Sequence, residues 1–290
     1  MKETIAEPVL ELRLDVGEGP SWDAATRSLI FVDVTPGIVY RFTPESGQLD
    51  VYKFGQEVGG AVPTDRGGLV VAARDGVYLA DDKASNPVLI ADIEADNPGN
   101  RMNDVKVDPE GRLWAGTMAF DFAAGAAALY RVAGNQYDRI IPDLTISNGT
   151  DWSPDGTLMY YIDSATQRVD VFDYAVADGT VSARRPFVDI TGGMPDGMTV
   201  DQEGFVWVAL FGAGEVRRYS PLGEHVESVR IAASQATSCC FGGADLDTLY
   251  ITSAAYEFTE EQLEIEPLAG AVFACKPGVK GLASTPFAVS

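Results

Sequence analysis

Apolar residues along this chain fall in short runs, either alternating with polar residues or continuous, and polar turns separate the runs. The clearest example is residues 194–210, Met-Pro-Asp-Gly-Met-Thr-Val-Asp-Gln-Glu-Gly-Phe-Val-Trp-Val-Ala-Leu. The pattern predicts a loop carrying Asp196, a short strand over Met198 to Val200, a turn at Asp201 to Gly204 and a second strand up to Leu210. Alternation beside a Gly-bearing turn is a hairpin signal. The same phrase recurs at residues 18–32, 103–116 and 148–162, each with a polar residue, a short strand, a polar turn and a hydrophobic strand. The chain is therefore an internal repeat.

In order, the first unit predicts strands at Gly19 to Trp22, Leu29 to Asp33, Ile38 to Phe42 and Gln48 to Phe54. The second starts near Gly59 and includes Leu69 to Ala73, Gly76 to Ala80 and Pro87 to Ala91. The third runs from Arg101 to about Leu144, the fourth from Ser147 to about Ile190 and the fifth from Pro195 to about Ile231. The sixth begins near Thr237 and includes Thr248 to Thr252 and Gly270 to Cys275. One helical turn is expected, near Thr259 to Glu264. Aligned on the turn after each first strand (Asp23, Asp65, Asp108, Ser153, Asp201 and, loosely, Gly242), the units repeat at roughly 41 to 48 residues, as four-stranded propeller blades do. The expectation is all-β: one six-bladed β-propeller domain over residues 1–290. An isolated N-terminal strand, Val9 to Leu14, would join the sixth blade and close the ring, leaving no open edge.

Five residues before each anchor stand Glu18, Gly60, Asn103, Asn148, Asp196 and Thr237. In a propeller these equivalent positions begin the innermost strands and converge on one mouth of the channel. Oxygen donors converging in a ring suit a divalent cation. The competing reading is that these residues only begin strands and cap turns, since Asn-Gly and Asp-Gly are turn dipeptides themselves. Gly60, having no side chain, would leave room for a ligand.

Composition narrows the partners. A net charge of −22, from 21 Lys and Arg against 43 Asp and Glu, argues against nucleic acid or an anionic membrane. No apolar run approaches the ~20 residues that span a bilayer, and the N-terminus carries no signal-like region. Cys239, Cys240 and Cys275 show neither a disulfide framework nor zinc spacing, which fits a reducing cytoplasm. The single histidine, His225, lies in a turn-like stretch and rules out a Ser-His-Asp triad or a multi-histidine metal site. Nothing in the pattern speaks to the oligomeric state.

Gly17-Glu-Gly-Pro-Ser-Trp, Arg101-Met-Asn-Asp, Trp114-Ala-Gly-Thr-Met, Ser147-Asn-Gly and Pro195-Asp-Gly-Met together resemble the SMP-30/gluconolactonase/regucalcin family. So do Pro267-Leu-Ala-Gly-Ala-Val-Phe and Pro277-Gly-Val-Lys-Gly, and the resemblance covers nearly the whole chain in order. It implies a six-bladed propeller in which Glu18, Asn148 and Asp196 bind one divalent metal ion (Ca, Zn, Mg, Mn or Fe), with Arg101 and Asn103 on substrate oxygens. The family often has an acidic residue just after Gly-Thr-Met; here the chain continues Ala119-Phe-Asp, so Asp121 stands in for it, with Phe120 as a departure. The implied activity is hydrolysis of sugar lactones to aldonic acids. Asp196 would be a metal ligand and also the general base, or a ligand only. Hydrolysis of other esters, including phosphotriesters, would instead need an apolar pocket. A calcium- or ligand-binding propeller without catalysis uses the same donors.

Overall fold

The computed structural model describes residues 2–289, and they form six sheets arranged in a ring, antiparallel except for one added parallel strand. Blades 1 to 4 take four consecutive strands each: blade 1 starts at Gly17–Asp23, blade 2 at Val58–Pro63, blade 3 at Asn100–Val107 and blade 4 at Ser147–Trp152. Blade 5 starts at Met194–Val200 and blade 6 at Ala236–Gly242, and each first strand lies against the first strands of the blades on either side. The second strands of the blades, such as Leu69–Ala73 and Val206–Phe211, read as nearly continuous apolar runs because both faces are covered, whereas the inner strands mix small, apolar and polar residues. Six apolar clusters fill the spaces between blades, with Trp114, Trp207, Tyr161, Phe31 and Phe273 among the largest buried side chains.

The ring closes at the N-terminus, with two differences from the expectation. The strand that completes blade 6 is Glu7–Leu10, antiparallel to Val272–Cys275, and does not run on to Leu14. Leu14 is instead buried in coil, its N–H donating to the Gly270 carbonyl at 3.1 Å. A further strand, Lys2–Ile5, pairs in parallel with His225–Arg230 and gives blade 5 a fifth strand. That strand is exposed and polar, so no buried face marks it in the sequence. The ammonium of Lys2 lies 2.8 Å from the buried Glu227 carboxylate, which also accepts from the Thr4 hydroxyl at 3.0 Å.

Asp196 belongs to the strand Met194–Val200 and not to a loop before it, because the pairing continues across a bulge. The expected helical turn is Glu260–Ile265, begun by Thr259, whose hydroxyl accepts from the Gln262 N–H while the Gln262 side chain accepts from the Thr259 N–H. Among the described residues no helix is long and apolar enough to cross a membrane. From the last blade, residues 276–289 run across the end of the ring away from the site described below. Gly281 N–H donates to Leu246 and Ala288 N–H to Gly111, while Phe287 is wholly buried against blades 2 and 3.

Candidate active site

All six inner strands break register near their starts, at Glu18/Ser21, Val58/Gly60, Met102/Val105, Ser147/Thr150, Pro195/Met198 and Ala236/Ser238. A bulge sets an extra residue against the partner strand and re-aims its side chain. Two glycines make the crowding possible: a Cβ on Gly149 would come 2.7 Å from the Asp196 carbonyl, and one on Gly197 would come 2.0 Å from the Ser238 hydroxyl. The bulges in blades 1, 3, 4 and 5 deliver Glu18, Asn103, Asn148 and Asp196 to one pocket of about 350 Å³, where all four are buried.

Arg101 lines the same pocket. Its Nη1 donates to Asn103 Oδ1 and to the Met102 carbonyl, both at 2.8 Å. Asn103 Nδ2 then donates to Asn148 Oδ1 at 2.8 Å and to the Ser147 carbonyl at 2.9 Å. Glu18 Oε2 accepts from the Gly19 N–H at 3.0 Å. No side-chain donor among the described residues reaches the carboxylate of Glu18 or Asp196 within hydrogen-bond distance.

The electrostatics follow from that isolation. Burial, with the charge of Asp104 added, pushes the Glu18 carboxyl up to about 8. Asp196 is likewise raised, by burial first and then by the charges of Glu18 and Asp104. Arg101 opposes both shifts, and its own desolvation lowers its pKa. Two buried acids facing each other with one cation between several acids is an arrangement that calls for positive charge. Two carboxylates and an amide oxygen are hard donors that fit one divalent cation. No group of three or more His, Cys, Asp or Glu side chains converges as a metal cluster among the described residues; with Glu18 and Asp196, a third donor would be the Asn148 amide.

The other singled-out residues lie elsewhere. Asp121 is exposed in the turn after Leu113–Ala119, accepts from the Ala123 N–H at 3.1 Å, and does not line the pocket. Its neighbours Phe120 and Phe122 do line it, 43% and 48% exposed at the rim. Gly60 leaves no room for a ligand, since a Cβ there would come 2.5 Å from Val105 Cγ2. Thr237 joins blade 6 to blade 1, its hydroxyl donating to the Gly17 carbonyl at 2.5 Å. Asp104, within electrostatic reach of Glu18 and Asp196, had a readable signal: it follows Asn103 where glycine follows Glu18, Asn148 and Asp196. Glu57, Thr35 and Tyr256 also line the pocket, and the repeat gives no hint of them.

Above the acid-and-amide floor the walls are unlike. Thr35, Glu57, Arg101 and Tyr256 supply polar groups. Met118, Phe120, Phe122, Ile146, Met194 and Phe211 make an apolar wall across blades 3 to 5.

Fold and pocket together define a six-bladed propeller with one buried acid-and-amide site at a channel mouth. The chain belongs to the SMP-30/gluconolactonase/LRE-like family, whose sequence model matches residues 16–255. It is 38% identical to regucalcin of Danio rerio over 97% of this chain and 98% of the relative. It is 36% identical to a Bacillus subtilis (strain 168) protein provisionally named sugar lactone lactonase YvrE, over 96% of this chain and 97% of that one. The crystal structure of a calcium-binding protein, regucalcin, from Agrobacterium tumefaciens str. C58 superposes with a TM-score of 0.95 at 28% identity, covering 99% of both chains.

Proposed function

We propose that this chain is a divalent-metal-dependent lactonase that opens a hydroxyl-bearing lactone to the corresponding hydroxy acid. The observation that carries the reading is the convergence of Glu18, Asn148 and Asp196, from three different blades, in one buried pocket beside Arg101 and Asn103. The naming of a related protein as a sugar lactone lactonase supports the reaction class, and the calcium-binding protein of the same fold supports the metal. Glu18, Asn148 and Asp196 would hold the ion, which when bound supplies Lewis acidity toward a carbonyl oxygen.

The side chains do the remaining work. Asp196 takes a proton from the attacking water as its oxygen bonds to the lactone carbonyl carbon, then returns that proton to the ring oxygen as the ring C–O bond breaks. Arg101 faces the developing carboxylate of the product. Asn103, held by Arg101, fixes the Asn148 amide. Thr35, Glu57 and Tyr256 offer partners to substrate hydroxyls.

A second reading is favoured by the wall formed by Met118, Phe120, Phe122, Ile146, Met194 and Phe211: esters or lactones with an alkyl or aryl group. Each buried methylene is worth about 0.8 kcal/mol, roughly fourfold in kcat/KM. Hydrolysis of a polyhydroxylated δ-lactone and of an alkyl-substituted δ-lactone, each with and without chelator, separates the readings. The lead reading expects the hydroxylated lactone to be preferred and chelator to abolish turnover. Preference for the alkyl lactone favours the second reading, and no turnover of either leaves a binding propeller.

A further inference from the structure

The hydrogen bonds of the site do not stop at the pocket. Asn148 Nδ2 donates to the hydroxyl of Ser164 at 2.9 Å, and that hydroxyl donates to the Pro195 carbonyl at 2.6 Å. With the bonds already described, one directed chain runs from Arg101 Nη1 to Asn103 Oδ1, from Asn103 Nδ2 to Asn148 Oδ1, from Asn148 Nδ2 to Ser164 Oγ, and on to the peptide that precedes Asp196. Ser164 is wholly buried and lies outside the pocket lining.

The repeat shows that packing does not demand a hydroxyl there. Ser164 begins the 3₁₀ turn after Leu158–Asp163, and its N–H donates to the Ile146 carbonyl at 3.1 Å. The same backbone bond, from just after the second strand back to just before the first, is made by Val34 to Val16, Arg74 to Glu57, Phe120 to Gly99 and Ala254 to Gln235. Across these five blades the position therefore takes Val, Arg, Phe, Ser or Ala. Only in blade 4, directly after the strand pair that carries Asn148, does it bear a hydroxyl, and there the hydroxyl both accepts from the amide and donates across to blade 5.

We propose that Ser164 is the positioning residue of the metal site. By accepting from Asn148 Nδ2 it turns Oδ1 of the amide toward the pocket. By donating to the Pro195 carbonyl it sets the spacing between Asn148 on blade 4 and Asp196 on blade 5. Asn103 Nδ2 holds Oδ1 from one side only, so without Ser164 the Asn148 NH₂ group is left unpartnered and the amide is free to tilt away from the pocket. Residues that orient ligands in this way typically change metal affinity by about 10- to 100-fold when removed. The proposal rests on Glu18, Asn148 and Asp196 holding an ion.

The test is calorimetric titration of the chelator-stripped full chain with Ca²⁺ and with Zn²⁺, for wild type, Ser164→Ala and Ser164→Cys, together with melting temperatures in excess chelator. Ser164→Cys nearly keeps the volume and replaces the hydroxyl with a weakly bonding thiol, so it reads the same bond if the alanine protein is poorly folded. The expected result is one ion bound by wild type, an affinity about 10- to 100-fold lower in both variants, and a smaller rise in melting temperature on adding metal. Wild-type affinity in either variant, with only a lower melting temperature in chelator, would make Ser164 a packing residue and overturn the proposal. Absence of ion binding by wild type would instead overturn the metal reading beneath it, so the two failures are distinguishable.

Discussion

Burial is the main obstacle to charge on both Asp196 and Glu18, with the charge of Asp104 added for each and that of Glu18 added for Asp196, and that decides how substitutions at them should behave. Asp196→Asn keeps the shape and removes a charge that burial and Glu18 both oppose. Its melting temperature in chelator is therefore expected to be no lower than that of wild type. At saturating metal, turnover should fall by about 10²- to 10⁴-fold, the usual contribution of a general base. Wild-type turnover under those conditions would make Asp196 a ligand only. Glu18 carries a pH signature of its own. Its folded pKa of about 8 lies above the ordinary value of 4.5, so between those values the folded chain holds a proton that the unfolded chain has released. Stability from this group is full below the unfolded value and is lost as pH rises through about 8. In chelator, the melting temperature of wild type should fall more steeply from pH 5 to 8 than that of Glu18→Gln. Equal slopes would mean that Glu18 is not held protonated by its surroundings.

At the level of elements, the repeat is readable because the turn after the inner strand carries an aspartate in four of the six blades, at Asp23, Asp65, Asp108 and Asp201. Asp108 shows why: Oδ1 accepts from the N–H groups of Glu110 and Arg112, while Oδ2 accepts from Arg112 Nε, Trp114 Nε1 and Tyr174 Oη. Asp201 repeats the pattern with Glu203, Phe205, Trp207 and Arg218, and Asp23 with Thr26 and Arg41. One carboxylate thus caps a turn and ties the second strand to its blade, which is what made Asp23, Asp108 and Asp201 usable as anchors. Removing one partner of a buried, hydrogen-bonded ion pair costs about 3–5 kcal/mol. Asp108→Ala should lose stability of that order in chemical denaturation, with the metal affinity of the folded fraction unchanged. A loss below ~1 kcal/mol would mean that solvent replaces the network. The bulges were less legible than the turns. Asn148 and Asp196 were found by counting back from the anchors, yet the same count landed on Gly60 and Thr237, which pack against Val105 and the Gly17 carbonyl. Spacing marks where a side chain starts, while the neighbouring blade decides whether it reaches the pocket.

On the scale of the whole molecule, six similar blades make one site because the blades differ at their mouths. Only blades 1, 3, 4 and 5 send an oxygen-bearing side chain from the bulge into the pocket. The far end of the ring is crossed by residues 276–289 over a second cavity of about 360 Å³, at whose wall Lys106 Nζ lies 3.3 Å from Asp151 Oδ2. That strap and the strand Lys2–Ile5 were the parts least visible in the sequence, since each is held largely by backbone bonds to residues more than 60 positions away, such as Gln202 to Lys280 and Phe287 to Pro63. Glu18, Asn148 and Asp196 form one set of donors drawn from three blades, which would hold one ion per chain, not one per blade. The most direct test of a metal-dependent lactonase follows from that count: add a divalent cation stepwise to the chelator-stripped chain and follow lactone hydrolysis at each step. Activity absent at the start, rising linearly and levelling at one ion per chain, is the predicted result. Full turnover in the stripped chain, or ion binding that brings no turnover, would contradict it.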